Sequence, residues 1–375
     1  MPAEQITLSI TLAIHLQTAR SVVALIGALT CVTSASAQTA RTDREIYESA
    51  CAACHGSDGR GGPAVAADFP LVPPDFTDCR FAAREASADW FAVGHEGGPV
   101  RGFDRMMPAF GEALRDDDLA RAVAHVRTFC ADGAWPRGEL NLPRALVTGK
   151  AYPEDEAVLT IVAEDGAVTN TFVYERRIGP RNQIELIVPL AFSERSPGDW
   201  TGGIGDIGLE FKRALAHSLR RGSIVSAGAE LVTPTGSTER GIGGGTTVFE
   251  PFLAVGQILP ADSFLQFQAG GEVPFDRDRS DEVFWRVAVG RTFTTGEFGR
   301  AWTPMVEILG AHELGSGETS HWDILPQMQI TLNTRQHVMV NAGVRIPLND
   351  RQDRSTRAMV YLLWDWFDGG FFEGW

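Results

Sequence analysis

Val338-Met339-Val340-Asn341-Ala342-Gly343-Val344-Arg345-Ile346-Pro347-Leu348 alternates residue by residue. Val338, Val340, Ala342, Val344, Ile346 and Leu348 share one side, and Met339, Asn341, Gly343 and Arg345 the other. A period of two is the signature of a β-strand with unlike faces. The pattern recurs upstream. Ile184, Leu186, Val188, Leu190 and Phe192 share a face while Gln183 and Glu185 begin the opposite one. Trp322, Ile324, Pro326, Met328, Ile330 and Leu332 alternate against Asp323, Gln327 and Gln329. Similar runs start near Ala157, Thr171, Gly205, Ser223, Thr246, Ser263, Val283, Ala301 and Arg357, which makes twelve in all. Each is about ten residues long, the length of a tilted strand crossing an outer membrane.

The connections carry a second, independent signal. Gly179-Pro180-Arg181-Asn182, Pro260-Ala261-Asp262 and Thr334-Arg335-Gln336 read as tight turns. They alternate with longer polar loops at Ser193–Gly203, Thr235–Gly245, Asp276–Asp281 and Asn349–Thr356. Short turns at one end and long loops at the other is the layout of an outer-membrane barrel. The competing reading is a soluble β-sandwich. Against it, the non-apolar face carries Glu185, Glu210, Lys212, Glu230, Glu250, Glu272, Arg286, Glu307 and Arg345. A sandwich must bury its apolar face and expose the other. Here nearly every strand offers Val, Ile, Leu, Phe or Trp on one surface, which suits lipid, and ionisable groups on the other, which suits a polar lumen.

Before residue 150 the patterns are helical. Asp43 is placed to cap a helix holding Ile46, Tyr47 and Ala50, Ser87 one holding Trp90, Phe91 and Val93, and Asp116 one holding Leu119, Val123, Val126 and Phe129. Gly- and Pro-rich loops separate them, such as Gly59-Arg60-Gly61-Gly62-Pro63. A stretch with Pro136, Pro143 and Pro153 follows as a linker. The segment before these helices reads as a secretory signal. Arg20 precedes the apolar run Ser21 to Thr33, and Ala35-Ser36-Ala37 supplies a small-x-small cleavage pattern. The expected boundaries are 1–37 signal peptide, 38–133 helical domain, 134–155 linker and 156–375 barrel.

Export fits the cysteines. Cys31 leaves with the signal, and Cys51-Ala52-Ala53-Cys54-His55 accounts for two more. That pentapeptide is a strong signal for covalent attachment of one haem c, with two thioethers to the vinyl groups and His55 on the iron. Cys79 and Cys130 remain, an even pair in an oxidising compartment. The signal contains one acid, Glu4, and one base, Arg20, so the mature chain keeps the formal net charge of −15. Such a chain repels phosphate backbones, and nucleic acid is not an expected partner. Phosphate-cradling loops and Ser/His/Asp constellations are missing. No enzymatic activity is expected.

The helical region resembles the class I c-type cytochromes over about ninety residues. Tyr47 through Gly56 matches the family's Tyr-x-x-x-Cys-x-x-Cys-His-Gly, Met107 through Gly111 its Met-Pro-Ala-Phe-Gly ligand loop, and Asp116 to Phe129 its closing helix. The resemblance implies an all-α domain with Met107 as the second iron ligand. Met106 beside it and His95, in Gly94-His95-Glu96-Gly97-Gly98, are the alternatives. Met/His ligation closes both axial positions, which suits electron transfer rather than haem catalysis. Arg80, Arg101 and Arg105 are candidates for pairing with haem propionates, with plain surface solvation as the alternative. In the family's fold the closing helix crosses the domain, which implies an approach of Cys130 to Cys79. The alternatives there are a disulfide and two buried thiols.

The whole chain looks like the porin–cytochrome fusions of extracellular electron transfer, although its barrel is smaller. The resemblance implies a two-domain protein, an all-α class I cytochrome c followed by an antiparallel transmembrane β-barrel of about 12 strands. An even strand count leaves both barrel ends in the periplasm, where the haem domain must be made. The expected function is electron transfer at the periplasmic mouth of the barrel, with periplasmic redox proteins as partners and outer-membrane lipid around the strands. A domain of ~13 Å radius belongs below a barrel of this size, not within it. The alternative is a channel for a small solute with an accessory cytochrome domain.

Overall fold

Alternation becomes strand over the second part of the chain. The strands are β1 Glu156–Glu164, β2 Ala167–Ile178, β3 Asn182–Ser196, β4 Asp199–Ile204 continued as Ile207–Ser218, β5 Ser223–Thr233 and β6 Val248–Leu259. They continue as β7 Ser263–Pro274, β8 Glu282–Arg291 with Phe293–Thr294, β9 Ala301–Glu313, β10 His321–Thr331, β11 Val338–Pro347 and β12 Arg357–Asp365. Both parts of β4 pair with β3, and both parts of β8 pair with β9. All pairs are antiparallel, and β1 closes on β12 from Glu156↔Asp365 to Ala163↔Ala358. The result is a closed barrel of twelve strands. This computed structural model describes residues 40–61, 72–315, 317, 319–352, 354–367 and 369–374. The signal peptide read over 1–37 and the Gly62-Pro63 part of the first loop lie outside the described residues.

Side-chain burial follows the period. Ile184, Leu186, Leu209, Phe211, Leu253 and Val289 are exposed on the outer wall. Glu185, Lys212, Glu307, Asp323, Gln327 and Gln329 are buried inside it. The expected short turns and long loops keep their ends of the barrel, although β1 and β2 are joined at the long-loop end by only Asp165-Gly166, and one loop needs correction. Ser193–Gly203, expected as a loop, is mostly a hairpin in which Ser193 pairs with Thr201 and Glu194 with Trp200. A hairpin with solvent on both faces has no apolar side to alternate, so its sequence reads as loop.

Among the described residues five α-helices precede the barrel: α1 Asp43–Ala50, α2 Ala52–His55, α3 Cys79–Ala82, α4 Ser87–Glu96 and α5 Asp116–Val126. α1 buries Ile46 and Tyr47 and is tied to α5 by Arg121 Nε on Asp43 Oδ1 at 2.8 Å. Ser87 and Asp116 are the first helical residues rather than caps; Ala86 and Arg115 take the cap positions. Ser87 Oγ instead donates to Glu139 Oε1 at 2.6 Å, fixing α4 to the chain leaving the domain. α5 stops at Val126, short of the Phe129 that its period suggested. Cys79, read as loop, opens the short α3, whose start is capped by Asp78 accepting from the Arg80 amide. Among the described residues no helix is long and apolar enough to cross a membrane.

The stretch expected as a linker does not hang between two bodies. After a turn of 3₁₀ helix at Gly138–Leu140 it runs into the barrel and back. Strand side chains meet its backbone one group at a time, as the buried polar groups of an irregular segment require. Gln266 Nε2 donates to Pro143 O at 2.8 Å, and Tyr361 Oη to Arg144 O at 2.7 Å. The Leu146 amide donates to Gln327 Oε1 at 3.0 Å and the Gly149 amide to Gln268 Oε1 at 2.9 Å. Glu307, fully buried, accepts from the amides of Val147 at 3.1 Å and Thr148 at 2.6 Å, and from Gln327 Nε2 at 2.6 Å. Apolar contacts fill the rest. Leu140, Ala151 and Tyr152 pack with Ala214, Ile224, Phe252, Ala254 and Phe284, and Leu146 and Val147 with Leu309, Leu325 and Met359. The segment is an internal plug.

The helical domain rests on the short-turn end. Arg101, expected to face a propionate, is 7% exposed, pairs with Asp89 at 2.8 Å and donates to Phe298 O in the β8–β9 turn at 2.7 Å. Arg335 of the β10–β11 turn donates to Gly102 O at 3.0 Å, and Arg84 pairs with Asp155 at the head of β1. The tail after β12 joins this contact, with Glu373 on Arg335 Nη1 at 2.8 Å.

Candidate haem-binding site

α1 delivers the attachment motif. The Cys51 amide donates to Tyr47 O at 2.8 Å and the His55 amide to Cys51 O at 3.0 Å, so the helical path continues from Tyr47 through the motif. It stops at Gly56, whose positive φ of 75° turns the chain away. Tyr47, fully buried, donates from Oη to Gly56 O at 2.7 Å and braces that turn from within the core. Gly59 comes next, also at positive φ. Its Cα faces the Phe129 ring so closely that a Cβ would stand 2.5 Å from Cδ2. The glycines of this loop are thus set by backbone direction and by close approach.

Cys51 and Cys54 are half-buried and not bonded to one another. Burial, and then the neighbouring Cys54, push the Cys51 thiol up to about 11. The His55 ring stacks on Phe76 at 4.8 Å, and Phe76 leans on Trp90 at 5.2 Å. Arg127 lies over the Trp90 ring at 3.7 Å, an arrangement that holds guanidinium and indole together. Burial pulls the His55 imidazole below its ordinary pKa, which keeps it in the neutral form that donates a lone pair to a metal. Its Nδ1 is buried with no hydrogen-bond partner among the described residues. An orphaned nitrogen in an aromatic pocket, one turn from two unpaired thiols, fits a haem c held by Cys51, Cys54 and His55.

The other ligand candidates lie on one loop. Met106 and Met107 are half-buried. The Met107 backbone is fixed by the glycines before it: the Gly98 amide donates to Met107 O at 2.9 Å, and a Cβ on Gly97 would stand 2.9 Å from the same oxygen. Gly97-Gly98 therefore exist to let the methionine loop close against α4. His95 is otherwise engaged. Its Nδ1 lies 2.8 Å from Glu96 Oε1, its Nε2 3.6 Å from Asp116 Oδ1, and its ring packs on Phe298 of the barrel at 5.3 Å. Of the proposed propionate partners, Arg80 and Arg105 are exposed on the domain surface, whereas Arg101 is spent on the barrel.

Cys79 and Cys130 form a disulfide with their α-carbons 5.3 Å apart. It joins α3 to the chain just past α5 and closes a separation of 51 residues. Cross-linking a loop of that length stabilises by about 3–4 kcal/mol, chiefly by restricting the unfolded chain. Replacing both cysteines by serine is expected to lower the unfolding free energy of the helical domain by that amount, read by denaturant titration of the haem absorbance. A loss under 1 kcal/mol would contradict it.

Residues 38–126 match the family model described as cytochrome c oxidase, cbb3-type, subunit III. No curated protein matches the sequence. Among solved structures, the barrel aligns with an outer-membrane channel from Pseudomonas putida F1, at 11% identity and a TM-score of 0.42, covering 60% of this chain and 99% of that one. It also aligns with the NanC porin at 8% identity and a TM-score of 0.40, and with the KdgM porin in complex with disordered oligogalacturonate at 11% and 0.37. Each of the two covers 56% of this chain and 98% of its own. The chain therefore joins a helical region that matches a cytochrome family model to a closed barrel of twelve antiparallel strands.

Proposed function

We propose that this protein is an outer-membrane monohaem cytochrome that transfers electrons in the periplasm, with its barrel serving as an anchor sealed by its own plug. The observation that carries the reading is the pairing of the aromatic pocket around His55 with a barrel whose lumen is occupied by residues 140–152 from the short-turn end to mid-strand. When bound, the haem supplies a one-electron redox centre. Cys51 and Cys54 would attach it, His55 and Met107 would ligate its iron, and Phe76 and Trp90 keep water from the histidine face. The exposed apolar outer wall of the strands supports membrane insertion. The helical domain sits at the short-turn end, which in outer-membrane barrels faces the periplasm.

Redox proteins of the periplasm are the partners that this placement favours. The plug weighs against the solute-channel alternative. It also separates the haem from the outer surface, and the apolar belt of such barrels is ~25 Å tall. Conduction of electrons across the membrane would then need a further carrier. In cell fractionation the protein is expected with outer membranes, with a folded form that runs faster on gels until boiled. Recovery in the soluble periplasm without detergent would overturn the anchor reading. In spheroplasts, but not in intact cells, added protease should remove the haem domain.

A further inference from the structure

The chain carries more acids than bases, yet one rim of the barrel is basic. Arg176, Arg213 and Arg291 point outward on β2, β4 and β8, close to the short turns, and all three are exposed. Arg220 and Arg221 in the β4–β5 turn and Arg300 at the foot of β9 continue the set, also exposed. The exposed acids described in the same short turns are Asp262 and Glu297. In a protein with 48 acids against 33 bases, such an excess calls for a counter-charge.

Among the described residues the arginines find little of it. Arg213 Nη1 donates to the neutral Asn182 Oδ1 at 2.7 Å, and an Arg300 Nη2 donates to Leu332 O at 3.2 Å. Arg176 reaches Asp155 only at 3.9 Å, and that carboxylate is already paired with Arg84. Arg176 lies instead over the Trp366 ring at 4.9 Å, and Arg291 over Phe293 at 4.7 Å. Trp366 in turn stacks on Tyr174 at 5.4 Å. Exposed apolar residues flank these groups along the outer wall, with Tyr174, Phe211 and Val289 on the mid-barrel side and Ile178, Leu215 and Phe293 on the side of the turns. Guanidinium groups over aromatic rings, at the edge of an apolar belt, stand where a bilayer passes from acyl chains to headgroups. Their charge is attracted to a leaflet that contains anionic phosphate.

We propose that this arginine rim binds the headgroups of anionic phospholipids in the leaflet next to the haem domain. The proposal rests on the membrane-anchor reading and adds to it a lipid class and the residues that select it. It fixes the depth of the barrel, and with it the height at which the haem domain meets its partners.

The test uses the haem-loaded full chain in a non-ionic detergent, offered equal amounts of phosphatidylglycerol and phosphatidylcholine, with bound lipid counted by native mass spectrometry. The wild-type protein should retain phosphatidylglycerol preferentially. An arginine beside an anionic surface is worth about fivefold in binding, so the R176Q/R213Q/R291Q variant should lose at least about tenfold of that preference. R277Q, in the long loop between β7 and β8, should leave it unchanged. Equal retention of both lipids by the wild type, or an undiminished preference in the triple variant, would overturn the proposal. Heat-modifiable migration and the haem spectrum are read on every variant. A barrel that inserts normally yet ignores lipid charge defeats this inference alone, whereas a chain that never enters membranes defeats the anchor reading.

Discussion

Replacing Met107 by alanine is expected to remove the weak red charge-transfer band of sulfur–iron ligation and to let carbon monoxide bind the reduced protein. Ligand identity decides both observations, because a Met/His iron is six-coordinate and closed, while loss of either ligand leaves an open position. The reduction potential should fall by on the order of 100 mV or more, since thioether ligation favours the reduced state over water or imidazole. The backbone reasons for expecting Met107 are local. Its carbonyl is held by the Gly98 amide, and Gly97 permits that approach only because it has no side chain. His95→Ala should leave the band intact, because that ring is taken up by Glu96, Asp116 and Phe298. If His95→Ala abolishes the band and Met107→Ala preserves it, the assignment is wrong. Met106→Ala is the control that separates the two adjacent thioethers.

How much of this could be read in the sequence depended on whether the signal was periodic. The strands were legible because one face is apolar and exposed and the other polar and buried. Ile184, Leu186 and Leu190 fall on the exposed wall and Glu185 on the buried one, as their spacing demands. The attachment motif was legible because its chemistry requires fixed neighbours. The plug was not, because its polar anchors are backbone amides and carbonyls, which every sequence possesses, and its apolar contacts through Leu140, Leu146, Val147 and Tyr152 follow no period. Its trace lay elsewhere, in Glu307, Gln327 and Asn341, which the alternation assigned to the polar face, and in Gln266 and Gln268. Long amides and a carboxylate at mid-strand suit water, and they equally suit a second backbone. Arg101 was misjudged for a related reason. An arginine near a haem motif suggests a propionate, but the structure spends it on Asp89 and on a turn nearly two hundred residues away. The domain contact that claims it has no local sequence signal.

The plug leads to the second large effect, which is on conductance. Purified protein in a planar bilayer is expected to show no steady open channel, because the apolar and polar contacts of residues 140–152 fill the section of lumen beside the short turns. Glu307 is the residue on which the tip depends. It is 0% exposed and accepts from the Val147 and Thr148 amides and from the Thr148 hydroxyl. Glu307→Ala removes the acceptor and leaves two buried amides unpaired, a loss of about 3 kcal/mol or more. It should release the tip and produce intermittent openings. The stronger variant replaces residues 143–149 by a short Gly-Ser turn. The two limbs lie side by side, since Lys150 Nζ donates to Asn141 Oδ1 at 3.0 Å, so a short connection spans them without pulling on β1. That variant should conduct continuously, while its heat-modifiable migration shows that the strands still close. The exposed lumen would present Glu185, Glu210, Glu230, Glu250 and Glu272, so the current should favour cations. A wild-type protein that already conducts at the level of the shortened variant would show that the plug does not seal the barrel, and the channel reading would then stand ahead of the anchor.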